Sequence, residues 1–152
     1  MIPRAAVSIA VAVAAAACGS QPPPFKPVAD TKLLMQAVVD PNADVIWDAV
    51  KTIITARGTE EVRPRSDAEW TAVRNSAIAL AESGNLLMIA PRAKDAGDWM
   101  RLSQELIDTS QSAIRAAESK DADRLFTVGG EIYDACSHCH QKYMDAIVNA
   151  NK

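Results

Sequence analysis

Leu125-Phe126-Thr127-Val128-Gly129-Gly130-Glu131-Ile132-Tyr133-Asp134-Ala135-Cys136-Ser137-His138-Cys139-His140 is the stretch from which the rest of the chain can be read. Leu125, Val128, Ile132, Cys136 and Cys139, continued by Tyr143 and Ile147, recur every three or four residues, which is the spacing of one face of a long helix. Side chains three and four apart stand above one another on a helix, so Cys136, Cys139 and His140 share a side, while His138 points elsewhere. Ser119 or Asp121 can supply the N-cap of this helix.

Three further helices are expected upstream. Met35, Val38, Asn42, Val45, Ile46, Ala49, Val50 and Ile53 form a stripe that runs through Pro41. Proline removes an N–H and restricts the residue before it, so this first helix should be bent or split near Pro41, with Arg57-Gly58 as its end and residues 59–65 as a loop. Ser66 with Glu69 three positions on is a capping box, and Trp70, Val73, Ala77, Leu80, Ala81, Leu87 and Met88 give the second helix its stripe. Ala90-Pro91-Arg92 closes it. A third helix is expected from about Lys94, with Trp99, Leu102, Leu106, Ala113, Ile114 and Ala117 facing inward, as far as Glu118.

Four amphipathic helices with short connections predict an all-α fold, a four-helix bundle. The chain has 152 residues, enough for one core, and 49% of them are hydrophobic while only 5% are aromatic, with few strand-like clusters. The formal net charge of −3 lacks the basic excess that displaces phosphate counterions, so no nucleic acid partner is expected.

The N-terminal region reads as export machinery. A basic start with Arg4 and an apolar run over residues 5–17 predict a signal peptide over residues 1–17. Cys18, after Ala15-Ala16-Ala17 and before Gly19-Ser20, has two readings: a lipidation site that becomes the new first residue, or a cysteine lying by chance near an ordinary cleavage point. The first implies peripheral membrane anchoring through a lipid on Cys18. Residues 18–28, rich in proline, are expected to be a stiff tether extending about 3.1 Å per residue, and residues 29–152 the folded domain. The expected location is periplasmic, with membrane attachment under the lipoprotein reading.

Cys136-Ser137-His138-Cys139-His140 has the spacing of a c-type haem attachment sequence. Both sulfurs can reach one edge of a porphyrin from the same helical side, and His140 can place a ring nitrogen on the iron. Three other readings compete. Zinc needs about four ligands in a tetrahedron, and the remaining cysteine lies in the export segment; a thioredoxin-like dithiol needs alternating strands and helices; a chance match leaves a structural helix, or a lipoprotein with an ordinary disulfide. Gly129-Gly130, costly in a helix interior, suggests close approach by another helix or by the cofactor. Tyr143 either packs on the porphyrin edge or closes the core. Arg92 could pair with a haem propionate or sit in a solvated loop. The second ring nitrogen of His140 should donate to a carbonyl, carboxylate or water.

An attachment motif late in the last helix of a four-helix bundle resembles the class II cytochromes c, the family of cytochrome c′ and its low-spin relatives, over roughly residues 30–149. Cys136, Cys139 and His140 match the family motif and Tyr143 its frequent aromatic position; Lys142 and Met144 stand beside it without a role. The resemblance implies one covalent haem c inside the bundle, its distal side facing the first helix, in a fold of the cytochrome c′ type. It places the distal ligand of low-spin members at about Met35, in Lys32-Leu33-Leu34-Met35-Gln36, while Leu34 is one helical step of about 100° away and cannot face the same point. Met88 and Met100 do not match that position. A His140 and Met35 pair implies a monohaem electron carrier working with a redox protein partner and no enzymatic activity; an apolar distal residue implies instead five-coordinate iron that binds nitric oxide or carbon monoxide. Family members often form homodimers, though no residues here single out an interface.

Overall fold

The computed structural model describes residues 25–150, with side chains as far as residue 144. The expected signal peptide, Cys18, most of the tether and Ile147's side chain lie outside the described residues. Eight elements follow one another: α1 (Thr31–Leu34), a π-helical turn (Met35–Val39), α2 (Asp40–Ala49), β1 (Lys51–Thr55), β2 (Gly58–Val62), α3 (Asp67–Leu87), α4 (Asp98–Glu118) and α5 (Ala122–Ala150). The chain is mostly helical. No helix among the described residues is long and apolar enough to cross a membrane.

α1, the π-helical turn and α2 are one continuous helical rod, since Leu34, Met35, Val39 and Asp40 all keep right-handed helical angles. The break expected near Pro41 takes the form of that π-helical turn. Pro41 has no N–H to give to the preceding turn, and the ladder widens ahead of it, so the Asp40 N–H bonds to the Met35 carbonyl five residues back. The side chain of Asn42 donates to the Val38 carbonyl at 2.7 Å.

Widening the helix by one residue rotates everything on one side of it by about 100° relative to the other. Of the expected stripe, Ile46 and Val50 are buried as expected, whereas Val38, Asn42 and Ala49 are only half-buried. Leu34, Val39, Ala43, Ile46 and Val50 are the buried positions, and Val45 is exposed.

The first helix ends sooner than expected. Residues 51–55 pair with residues 58–62 as an antiparallel hairpin, with Lys51 opposite Val62 and Thr55 opposite Gly58, where a helical end and a loop were expected. Thr52, Ile53, Ile54 and Thr55 are all branched at Cβ, which favours the pleated backbone over the helix, and Gly58 takes the positive φ of 136° that closes the turn. The all-α expectation thus needs this one amendment.

α3 starts as expected. The Glu69 N–H donates to Ser66 Oγ at 3.2 Å and the Ser66 N–H returns to Glu69 Oε2 at 2.8 Å. Its last carbonyls are met by side chains from the next segment: Trp99 Nε1 donates to Leu87 O at 2.8 Å and Arg92 Nε to Leu86 O at 2.7 Å. Arg92 also donates to Ala29 O at 3.0 Å and is only 6% exposed, so it is neither a solvated loop residue nor free for a propionate.

α4 begins at Asp98, four residues later than expected, because Asp95 accepts from the N–H groups of Gly97 and Trp99 and holds the chain in a turn. At the other junction Asp121, not Ser119, caps α5, taking the Arg124 N–H at 2.9 Å. α2 packs on α3, α3 on α4, α4 on α5 and α5 on α2, which closes the ring of helices around one core. Leu80, Ile46, Leu125, Val128 and Ile132 lie at its centre.

Candidate cofactor site

α5 presents Cys136, Cys139 and His140 on one side, and that side forms a wall of the space between α5 and the first rod. Two cavities of about 370 and 430 Å³ share Met35, Asp40, Cys139 and His140 as lining. They are two lobes about a common centre. The first lobe is lined by Val39, Ala43, Leu87, Leu102 and Leu106, with Trp47 and Tyr133 also on its border. The second runs toward Thr31, Lys32, Lys94, Tyr143 and Met144.

The structure brings Met35, far away in sequence, to the same centre as the C-terminal motif. It is the first residue of the π-helical turn and borders both lobes, whereas Leu34 is buried in the core and borders neither. Met88 and Met100 also line neither lobe. Met144 lines the second but belongs to α5, on the wall of His140 itself.

Cys136 and Cys139 are free thiols, each part-buried. Burial pushes the Cys136 thiol up to about 11, with the carboxylate of Asp40 and the neighbouring Cys139 adding to the effect. Burial also raises Cys139, followed by the charge of Glu105. Both thiols are therefore held in the neutral form and line the cavity, unlike the exposed thiolate of a redox dithiol.

His138 lines neither lobe and turns toward α4, with Nδ1 3.1 Å from Glu105 Oε1. The ring of His140 has no hydrogen-bond partner among the described residues, so the expected acceptor for its second nitrogen is not found there. Among the described residues no three His, Cys, Asp or Glu side chains gather as a protein-built metal site requires. A tetrahedral zinc site would need such a group, while an iron whose four equatorial ligands come from a porphyrin would not.

Tyr143 closes the core and lines the cavity together. Its ring meets Trp99 edge to face, with centroids 4.9 Å apart at 80°, and its hydroxyl donates to Asp95. Loss of hydration, then the bond to Asp95 and its charge, push the phenol up to about 12. Lys142, next to it, bonds Asp98, so α5 is clasped to the start of α4 at this end.

Gly129 does mark a close approach, and the visitor is Trp47 of α2. A Cβ at Gly129 would stand 3.3 Å from Trp47 Cδ1, and Trp47 Nε1 donates to the Gly129 carbonyl at 2.9 Å. Gly130 has open space around it. Trp47 and Asp40 are site residues that the sequence reading passed over. Both fall twelve and five places after Met35, on a face legible only once the extra residue of the π-helical turn is counted.

No protein-family model, no curated protein and no solved structure matches this chain. The case for its function is carried by the site.

Proposed function

We propose that this chain is an exported c-type cytochrome of the class II kind, an electron carrier with one covalent haem attached at Cys136 and Cys139 and bound through His140 and Met35. The observation that carries the reading is the juxtaposition of Met35 with the Cys136, Cys139 and His140 face across one largely apolar cavity. When bound, the haem iron supplies one-electron chemistry. The residues do the rest: two neutral thiols offer the attachment points, His140 presents a ring nitrogen that has no competing partner among the described residues, and Met35 offers a thioether from the facing wall. Val39, Ala43, Leu102 and Leu106 line the cavity with apolar surface, and a thioether together with an imidazole would raise the potential of a haem held there, which suits electron transfer over substrate chemistry.

Export follows from the same chemistry, because the N-terminal pattern directs the chain to a compartment where haem is attached. A lipid on Cys18 would hold it at the membrane surface, and a redox protein would be its partner, with or without pairing of the chain as a homodimer.

Pyridine haemochrome analysis of the denatured, exported protein is the deciding experiment: a haem c spectrum that stays with the chain is expected, and a colourless chain refutes the proposal. In the ferric protein a methionine-to-iron charge-transfer band should be present and disappear in Met35→Ala. A high-spin ferric spectrum without that band in the unmutated protein would point instead to five-coordinate iron that binds nitric oxide or carbon monoxide.

A further inference from the structure

We infer that Lys32 and Lys94 form the anion site that receives the two propionate carboxylates of the haem, at the mouth of the second lobe. The inference rests on the haem reading above and adds the orientation of the cofactor to it.

The chemistry sets the requirement. A haem joined to the protein by its vinyl groups carries two ionised carboxylates on a different edge, and such groups need water or cations at the place where they leave the apolar cavity. Two lobes border His140 among the described residues. The first lobe is bordered by Trp47, Tyr133, Ser137 and Gln141 and has no Lys or Arg in its lining. Asp40 borders both lobes, so a carboxylate at either needs a cation beside it, and the first lobe offers none. The second lobe has Lys32 on α1 and Lys94 on the segment before α4, accompanied by the polar side chains of Thr31 and Gln36.

The neighbouring cations are already engaged. Arg92 gives its N–H groups to the carbonyls of Leu86 and Ala29, and Lys142 is paired with Asp98. Lys32 and Lys94 have no carboxylate within ion-pair distance among the described residues. The Lys94 ammonium lies 6.0 Å from the centre of the Trp99 ring, which keeps it near the cavity without neutralising it. A compact ammonium on a flexible stem can meet a carboxylate from the solvent side without being buried, as this mouth demands.

The test uses the exported, haem-bearing protein and the Lys32→Gln, Lys94→Gln double variant, with Lys120→Gln as a control, since Lys120 pairs with Asp67 at the α4–α5 junction. Haemochrome analysis of all three comes first; a colourless unmutated chain removes the premise and the inference with it. With haem present, the propionate bending band in the resonance Raman spectrum should shift in the double variant and stay in place in the control. The midpoint potential should fall in the double variant by clearly more than in the control, because an unneutralised propionate favours the ferric state. An unmoved Raman band, or an equal fall in the control, overturns the assignment while leaving the cytochrome reading intact.

Discussion

Met35 and Trp47 show how much a single residue's role depends on the direction in which it points. Methionines are most often flexible core fillers, and Met35 stands apart because it borders both lobes of the cavity that Cys139 and His140 also border. Trp47 is a different kind of case: its indole both fills the space left by Gly129 and satisfies a carbonyl. Trp47→Phe should retain most of the packing and lose the hydrogen bond, at a cost of about 1 kcal/mol in denaturant unfolding. An unchanged unfolding midpoint would mean that the bond to Gly129 contributes nothing.

The helices make contact through positions of contrasting tolerance. A Cβ on Gly84 of α3 would lie 2.5 Å from Ile107 Cγ1 and 2.9 Å from the Ser103 carbonyl oxygen of α4, and a backbone atom cannot move aside cheaply. Gly84→Ala should therefore destabilise by about 1–3 kcal/mol, whereas Gly130→Ala, with nothing within 4 Å, should stabilise α5 by about 0.5–1 kcal/mol. Paired urea titrations with shifts of the same sign would contradict this picture of the two interfaces. The clasp between α5 and α4 carries a pH dependence. The Tyr143 hydroxyl and then the Trp99 N–H hold the Asp95 carboxyl below its ordinary value of 3.8, and Lys142 does the same for Asp98. The fold thus favours the ionised carboxylates, so their contribution is present above about pH 4 and is lost as pH falls through the lowered values. The protection factors of amides in the C-terminal part of α5 should fall below that point, and Asp98→Asn should weaken the dependence; protection unchanged between pH 5 and 2 would remove the clasp from the account.

At the scale of the molecule, the cofactor is expected to be part of the core. The two lobes separate α5 from the first rod, and α2 touches α5 far less than α3 touches α4. Burying on the order of 400 Å² of apolar haem surface at about 25 cal/mol per Å² would contribute about 10 kcal/mol, the size of a whole domain's net stability. The Cys136→Ala, Cys139→Ala double variant should keep helical far-UV circular dichroism and lose the near-UV signal of packed Trp47 and Trp99. Native near-UV dichroism in that variant would show that the bundle closes without haem.

Much of this was legible in the residues themselves. The capping box of Ser66 and Glu69, the stripes of α3 and α4, and the sharing of one helical side by Cys136, Cys139 and His140 follow from interactions within one or two turns, which local spacing records faithfully. The hairpin was available too, in the branched residues before Arg57-Gly58, but a helical stripe extended through Ile53 concealed it. Tertiary structure decided the remainder. Uniform helical spacing cannot anticipate the residue added ahead of Pro41, and that residue determines that Val39 and Ala43 turn inward while Val45 turns out. Arg92 became a buried clip because two orphaned carbonyls from separate segments converge on it. Met35 was singled out by the family resemblance and by no local pattern, and Lys32 and Lys94 stand out only through packing that brings distant parts of the chain around His140.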